Sequence, residues 1–138
     1  MVGRDVLRRR LAVLQDALAD LRRYRSRFDA SALRSDRDAQ HMVLHAMYIA
    51  AQAAIDVALH AASAAEQPEA TTYQQAFEHL ALAGLLERDL ANHMMGWAGL
   101  RNILAHQYAT IDYGRIAATL ATELDQLDEF VRVASSWK

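Results

Sequence analysis

Residues 99–116, GLRNILAHQYATIDYGRI, gather Arg101, Asn102, His106, Gln107 and Tyr108 on an otherwise apolar helical background. An imidazole titrates near neutrality and can take or give a proton, and a guanidinium is a permanent cation shaped to hold a phosphate or carboxylate. Together they can serve RNA cleavage by internal transesterification. A base removes the ribose 2′-hydroxyl proton, an acid protonates the departing 5′-oxygen, and the guanidinium balances the charge that builds on phosphorus. That chemistry calls for no metal and no other cofactor. An Arg and a His at a helix end can equally be structural, and spacing by itself leaves both readings open.

Spacing also raises a geometric question. Arg101 continues the seam of Leu90, Met94 and Trp97 toward Leu104, so a charge is expected where an aliphatic side chain would fit, with an anion or acidic partner beside it. Asn102 and His106 are four apart and share a face, whereas Arg101 and His106 are separated by about 140° at 3.6 residues per turn. Their convergence is expected through the long Arg side chain, helped by unwinding near Ala105 or by a group from a second copy of the chain.

Other residues invite weaker assignments. His41 and His45 are four apart, a metal-compatible spacing, but no Glu follows His41 as a zincin pattern requires. Asp56 between Ile55 and Val57 can face a polar pocket, cap a neighbouring group or sit part-exposed on a helix. His60, His79 and His93 have no companions in sequence and read as surface or satisfied core positions, and Met94 and Trp97 read as packing.

The elements that must position these groups are all helical. Leu7, Leu11, Leu14, Leu18 and Leu21 define the stripe of a first helix over about residues 4–27. Ser35 or Asp36 can cap a long Ala-rich second helix that reaches about Ala65 and occupies a central position. Pro68 and its surroundings end it. Thr71 or Thr72 can start a third helix burying Tyr73, Phe77 and Leu80, with Gly84 as its stop. A fourth helix is expected from about Glu87 to Ala105. Asp112 can cap a fifth, carrying Ile116, Leu120, Leu124, Leu127 and Val131. Short connections favour antiparallel packing, so the expected fold is an all-α antiparallel bundle of about five helices, a single domain over residues 1–138.

Composition narrows the function classes. The chain has 138 residues, 53% hydrophobic, one Pro and five Gly, which suits a packed helical core. With no cysteine, disulfides, thiolate nucleophiles and zinc–thiolate sites are excluded, and a reducing cytoplasm is compatible. The N-terminus is charged and amphipathic, unlike a signal peptide, and no charge-free apolar run of about 18 residues suggests a membrane span. The net charge is −2, yet residues 1–27 hold eight Arg against Asp5, Asp16 and Asp20. Such a basic helix can contact phosphates or simply be solvated.

The string RNILAHQY resembles the signature of the HEPN superfamily, in the R-x4-H-x-Y form of HepT-like toxins. AIDVALH at Ala54–His60, YQQAFEHLALAGLLERDLANHMMGWAGLRN from Tyr73 and YATIDYGRI after the His are similar to that family too, so the resemblance covers most of the chain. It implies a four-helix-bundle-like HEPN fold in a homodimer, with the motifs of two subunits facing one cleft. It also implies a metal-independent endoribonuclease toxin of a type VII-like toxin–antitoxin system, acting on cellular RNA, with Arg101 and His106 catalytic and Asn102 supporting. Tyr108 corresponds to the tyrosine to which a cognate MntA-like nucleotidyltransferase antitoxin transfers AMP. Tyr113 lacks the motif spacing. A second reading in the same superfamily is a non-catalytic HEPN partner that presents a nucleotide or substrate to a nucleotidyltransferase, and a third is an inert interaction bundle.

Overall fold

The leucine stripe of the N-terminal segment forms α1 (Gly3–Arg27) in the computed structural model, which describes residues 3–137 apart from the side chain of Tyr108. Leu11, Leu14, Leu18 and Leu21 are buried against α3 (Arg37–Ala64), the central helix. Asp36 caps α3, its carboxylate accepting from the backbone N–H of Asp38 at 2.9 Å and of Ala39 at 3.2 Å. At 28 residues it spans about 42 Å. By length and a mean hydropathy of 1.6, α3 is apolar enough to cross a membrane, but 61% of that window is buried inside the bundle. Its small residues, Ala39, Ala50, Ala51, Ala54 and Ala58, let α1, α4, α5 and α7 pack closely on it.

Two helices around the candidate site end in the same turn with different residues. In α4 (Tyr73–Leu82), Leu85 N–H donates to Leu80 C=O at 2.9 Å and Gly84 N–H to Ala81 C=O at 3.1 Å, with Gly84 at φ +75°. At the end of α3, Gln67 N–H donates to Ala62 C=O and Glu66 N–H to Ser63 C=O, both at 3.0 Å, and the left-handed residue is Glu66 at φ 58°. Both are Schellman turns. The long helix therefore stops at Ala64, four residues before Pro68, by backbone hydrogen bonding. A side chain in the left-handed region is strained, so Glu66→Gly should stabilise the fold by about 0.5–1 kcal/mol after allowing for the added freedom of the unfolded chain. Urea unfolding midpoints measure this, and no gain would mean Glu66 is unstrained.

Seven α-helices and a short 3-10 turn are present among the described residues, against the five helices expected. The first addition is α2 (Ala30–Ser35), capped by Asp29, whose carboxylate accepts from Ala32 N–H at 2.8 Å. Six residues with one buried apolar side chain, Leu33, are too few to display a helical period. The second is a break. The expected fifth helix divides at Glu123 into α6 (Tyr113–Thr122), capped by Asp112, and α7 (Leu124–Ala134). The apolar spacing runs unbroken across it, but the Thr122 hydroxyl donates to Ala118 C=O at 2.8 Å, a back-bond that bends helices. The bend lets α6 pack on α2 while α7 packs on α1 and α5.

Helix α5 (Arg88–His106) starts four residues after Gly84 and carries the candidate motif at its C-terminal end. Arg88 Nη1 and Nη2 donate to Glu78 at 2.5 and 2.9 Å, tying α5 to α4. This guanidinium holds the half-exposed Glu78 carboxyl below the ordinary carboxylate range. Met94, Trp97, Ala98 and Leu104 are buried, as the packing reading expects. Phe77 of α4 meets Phe130 of α7 edge-on, with centroids 5.7 Å apart, and the buried side chains of α1–α7 form one contiguous core. Three α1 arginines are paired: Arg10 with Asp56 at 3.2 Å, Arg22 with Asp128, and Arg23 with Asp20 at 3.0 Å.

Candidate active site

The helical period puts Leu90, Met94, Trp97, Ala98 and Leu104 of α5 in the core and leaves Arg101 and Asn102 half-buried at its edge. The side chains of Arg101, Asn102 and His106 line a single cleft of about 970 Å³. Its second wall is the C-terminal end of α3 (Leu59, Ala62, Ser63), its rim the segment 67–72 that follows the Glu66 turn, and its third wall Tyr73 and Gln74 of α4. Thr72 caps α4, its hydroxyl accepting from Gln75 N–H at 3.2 Å. The cap fixes Tyr73 at the first helical position, beside Arg101.

Arg101 and His106 of one chain both line this cleft, and the helix that carries them is regular through His106, with no unwinding at Ala105. His106 is the last helical residue and is exposed. Gln107 N–H caps the helix by donating to Ile103 C=O at 2.8 Å, and the 3-10 turn Tyr108–Thr110 follows. The backbone of Tyr108 thus lies two residues beyond the imidazole, while its side chain falls outside the described residues. Tyr113 is half-buried against the core, at the start of α6.

Arg101 also departs from expectation in its partner, which is not a carboxylate. Its Nε donates to the side-chain carbonyl of Gln52 on α3 at 2.8 Å, and Nη1 makes a longer contact of 3.3 Å to Asn102 Oδ1. The guanidinium carbon lies 4.9 Å from the centroid of the Tyr73 ring and 5.5 Å from that of Tyr48. Such cation–π contacts stabilise the cation without neutralising it. A phosphate entering the cleft therefore meets an undischarged guanidinium whose plane is already held.

Tyr48, Gln52 and Tyr73 are thus site residues that sequence reasoning did not nominate. Tyr48 and Gln52 stand four apart, on one face of α3, but nothing in their own neighbourhood links them to a residue about fifty positions later. Asp56, one turn further along that face, accepts from Gln52 Nε2 at 3.0 Å and pairs with Arg10. It is part-exposed on the helix, as one reading expected, and it belongs to a polar chain.

The remaining histidines lie away from the cleft. His41 and His45 border a shallow groove between α1 and α3, and no cluster of three or more metal-ligating side chains occurs among the described residues. His93 Nδ1 lies 3.1 Å from Gln126 Nε2. His60 Nε2 and His79 Nδ1 are buried without a hydrogen-bond partner, so these two are not the satisfied core positions expected. The indole N–H of Trp97 is also unpartnered.

Residues 14–134 match the ribonuclease HepT-like family, from within α1 to the end of α7 and including the motif. The chain belongs to that family. A tRNA nuclease HepT from Aphanizomenon flos-aquae (strain 2012/KM1/D3) is 33% identical to this HepT-like chain over 86 residues. That match takes in 62% of this chain and 58% of the relative, little more than half its length. Among solved structures, a toxin–antitoxin bound to AMP-PNP superposes with a TM-score of 0.88 at 20% identity, over 96% of this chain and 99% of the other. A tri-AMPylated HEPN toxin of Shewanella oneidensis in complex with an MNT antitoxin gives 0.87 at 20% identity, over 96% and 98%. The cytosolic protein YutE of Bacillus subtilis, of unknown function, gives 0.84 at 14% identity, over 98% and 90%. These likenesses establish that the HepT-like chain shares the all-helical fold of those proteins.

Proposed function

We propose that this protein is a single-domain, metal-independent endoribonuclease toxin whose cleft cuts cellular RNA by internal transesterification. The observation that carries the reading is the presence of Arg101 and His106 in one cleft, with the guanidinium held by a neutral acceptor and two rings. In the reaction a ribose 2′-oxygen attacks the adjacent phosphorus and the 5′-oxygen of the next nucleotide leaves. One fragment then ends in a 2′,3′-cyclic phosphate and the other begins with a 5′-hydroxyl. His106 moves a proton at one of these oxygens, as base or as acid. Arg101 faces the non-bridging oxygens, where negative charge grows in the transition state. Asn102, in contact with Nη1, supports the Arg101 geometry. A homodimer would bring a second such cleft nearby and a second imidazole for the complementary proton transfer.

Regulation completes the proposal. A cognate MntA-like nucleotidyltransferase antitoxin would transfer AMP from ATP to the Tyr108 hydroxyl, releasing pyrophosphate. The backbone of Tyr108 is two residues from His106, so each AMP would add bulk and negative charge where the substrate phosphate must sit. The tri-AMPylated HEPN toxin, alike in fold and in complex with an MNT antitoxin, supports this reading.

Expression of the chain alone should arrest growth, and co-expression of the nucleotidyltransferase should relieve the arrest for the parent. Relief should fail for Tyr108→Phe, which has no phenolic oxygen to modify, and intact mass should show AMP increments on the parent only. Harmless expression of the unmodified chain would point instead to a non-catalytic nucleotide-binding partner. Equal relief of the phenylalanine variant would overturn the choice of Tyr108.

A further inference from the structure

Arg101 is the end of a four-membered polar chain whose internal orientation is dictated by donor and acceptor chemistry. A guanidinium Nε–H can only donate, so Gln52 must present its carbonyl oxygen to Arg101, and it does so at 2.8 Å. That choice turns the Gln52 amide nitrogen the other way, where it needs an acceptor. An ionised carboxylate accepts only, and Asp56 takes this bond at 3.0 Å. The remaining charge of Asp56 is met by Arg10 of α1 at 3.2 Å. Reversal of the amide would set N–H against N–H at one end and oxygen against oxygen at the other. The chain therefore has one low-energy arrangement.

We propose that Gln52 is a positioning residue for Arg101, and that Asp56, balanced by Arg10, fixes the Gln52 amide in the one orientation that holds Arg101 for phosphate binding. The proposal rests on the ribonuclease reading for its catalytic consequence but not for its geometry. The neutral link has a functional logic. A carboxylate at position 52 would hold Nε equally well but would discharge the guanidinium that a phosphate must use. An amide holds the same atom and leaves the charge available. By placing the compensating carboxylate one helical turn away and pairing it with Arg10, the fold keeps an acidic group near the site without presenting it to the substrate. Nε is occupied on the α3 side, and among the described residues Nη2 carries no hydrogen bond. The outer edge of the guanidinium is the part left for a ligand.

Two measurements on the full chain test this. Purified Gln52→Ala and Asp56→Asn are compared with the parent on a 5′-labelled bulk tRNA pool, with tRNA retention measured in a His106→Ala background. Gln52→Ala should lower kcat about 10- to 100-fold while changing tRNA retention less than about threefold, and Asp56→Asn should fall between it and the parent. Because Gln52 acts through Arg101, its substitution should cost little further activity in an Arg101→Ala background. Equal losses in both backgrounds, or parental kcat in Gln52→Ala, would overturn the proposal.

The second measurement does not depend on activity. The Arg101 Nε–H proton should give a slowly exchanging NMR signal in the parent, assigned by its absence in Arg101→Lys. The signal should survive Gln52→Glu, which retains the acceptor, and be lost in Gln52→Ala. If the parent fails to cleave RNA but shows this pattern, the ribonuclease reading fails and the positioning role stands. If the signal persists unchanged in Gln52→Ala, the positioning role fails whatever the activity.

Discussion

His106→Ala should lower kcat for RNA cleavage by about 10²- to 10⁴-fold, the usual contribution of a positioned general acid or base, with little change in RNA affinity. The fold should tolerate the change. His106 is the exposed last residue of α5, and its backbone carbonyl and amide, not its ring, belong to the helix end. The variant should therefore unfold within about 0.5 kcal/mol of the parent, as surface substitutions do. This separation of activity from stability gives the substitution its force. Parental cleavage by a pure, folded His106→Ala protein would remove the imidazole from the chemistry, and the cleft would need another proton carrier.

The largest effect on stability is expected at a distance from the chemistry. Phe77 is fully buried, and its ring stands edge-on to Phe130, which in turn stands edge-on to Trp137 at 6.0 Å. This aromatic series joins α4 to α7 and the chain end behind it. Phe77→Ala removes the largest fully buried side chain of α4 and leaves a cavity, at a cost of about 3–5 kcal/mol, a large share of the 5–15 kcal/mol that holds a typical domain together. Chemical denaturation should show the loss directly. The site should feel it as well, because α4 is the element that sets Tyr73 against the Arg101 guanidinium and Gln74 in the cleft wall. A loss under about 1 kcal/mol would mean that α4 is held by its other contacts, and that the aromatic series is incidental.

The helices that can be read in the sequence are those in which several signals agree. Asp36, Thr72 and Asp112 stand where their side chains accept from the first turn of a helix, and Gly84 stands where the backbone requires positive φ. Apolar periods of three and four give the buried faces of α1, α3 and α5 within a residue or two of their observed ends. Two features carry no such agreement. The helix α2 is shorter than two full turns, and the α6–α7 break interrupts a perfect apolar period through a hydroxyl-to-carbonyl bond that periodicity does not register.

Much the same division runs through the site. Arg101, Asn102 and His106 can be nominated from their types because a cation and an imidazole are unusual at the end of an apolar helix. What holds Arg101 cannot be, because Gln52 and Tyr48 look like ordinary residues of a half-exposed helix face, and Tyr73 like one more core aromatic. Only the packing of α3 and α4 against α5 turns them into a socket. The expectation of an acidic partner for Arg101 is corrected by the same packing: the carboxylate exists, as Asp56, but one amide removed. This arrangement explains how a half-buried guanidinium can be stable and still be available to an anion.

The ends of the cleaved RNA test the central claim most directly. Purified protein is incubated with bulk tRNA in the presence of a metal chelator, and the fragments are analysed by mass spectrometry. Internal transesterification by Arg101 and His106 predicts 2′,3′-cyclic phosphate on one new end and 5′-hydroxyl on the other, and no cut where the attacking ribose is replaced by a 2′-deoxyribose. Fragments ending in 3′-hydroxyl and 5′-phosphate, or cleavage that stops when the chelator is added, would contradict it.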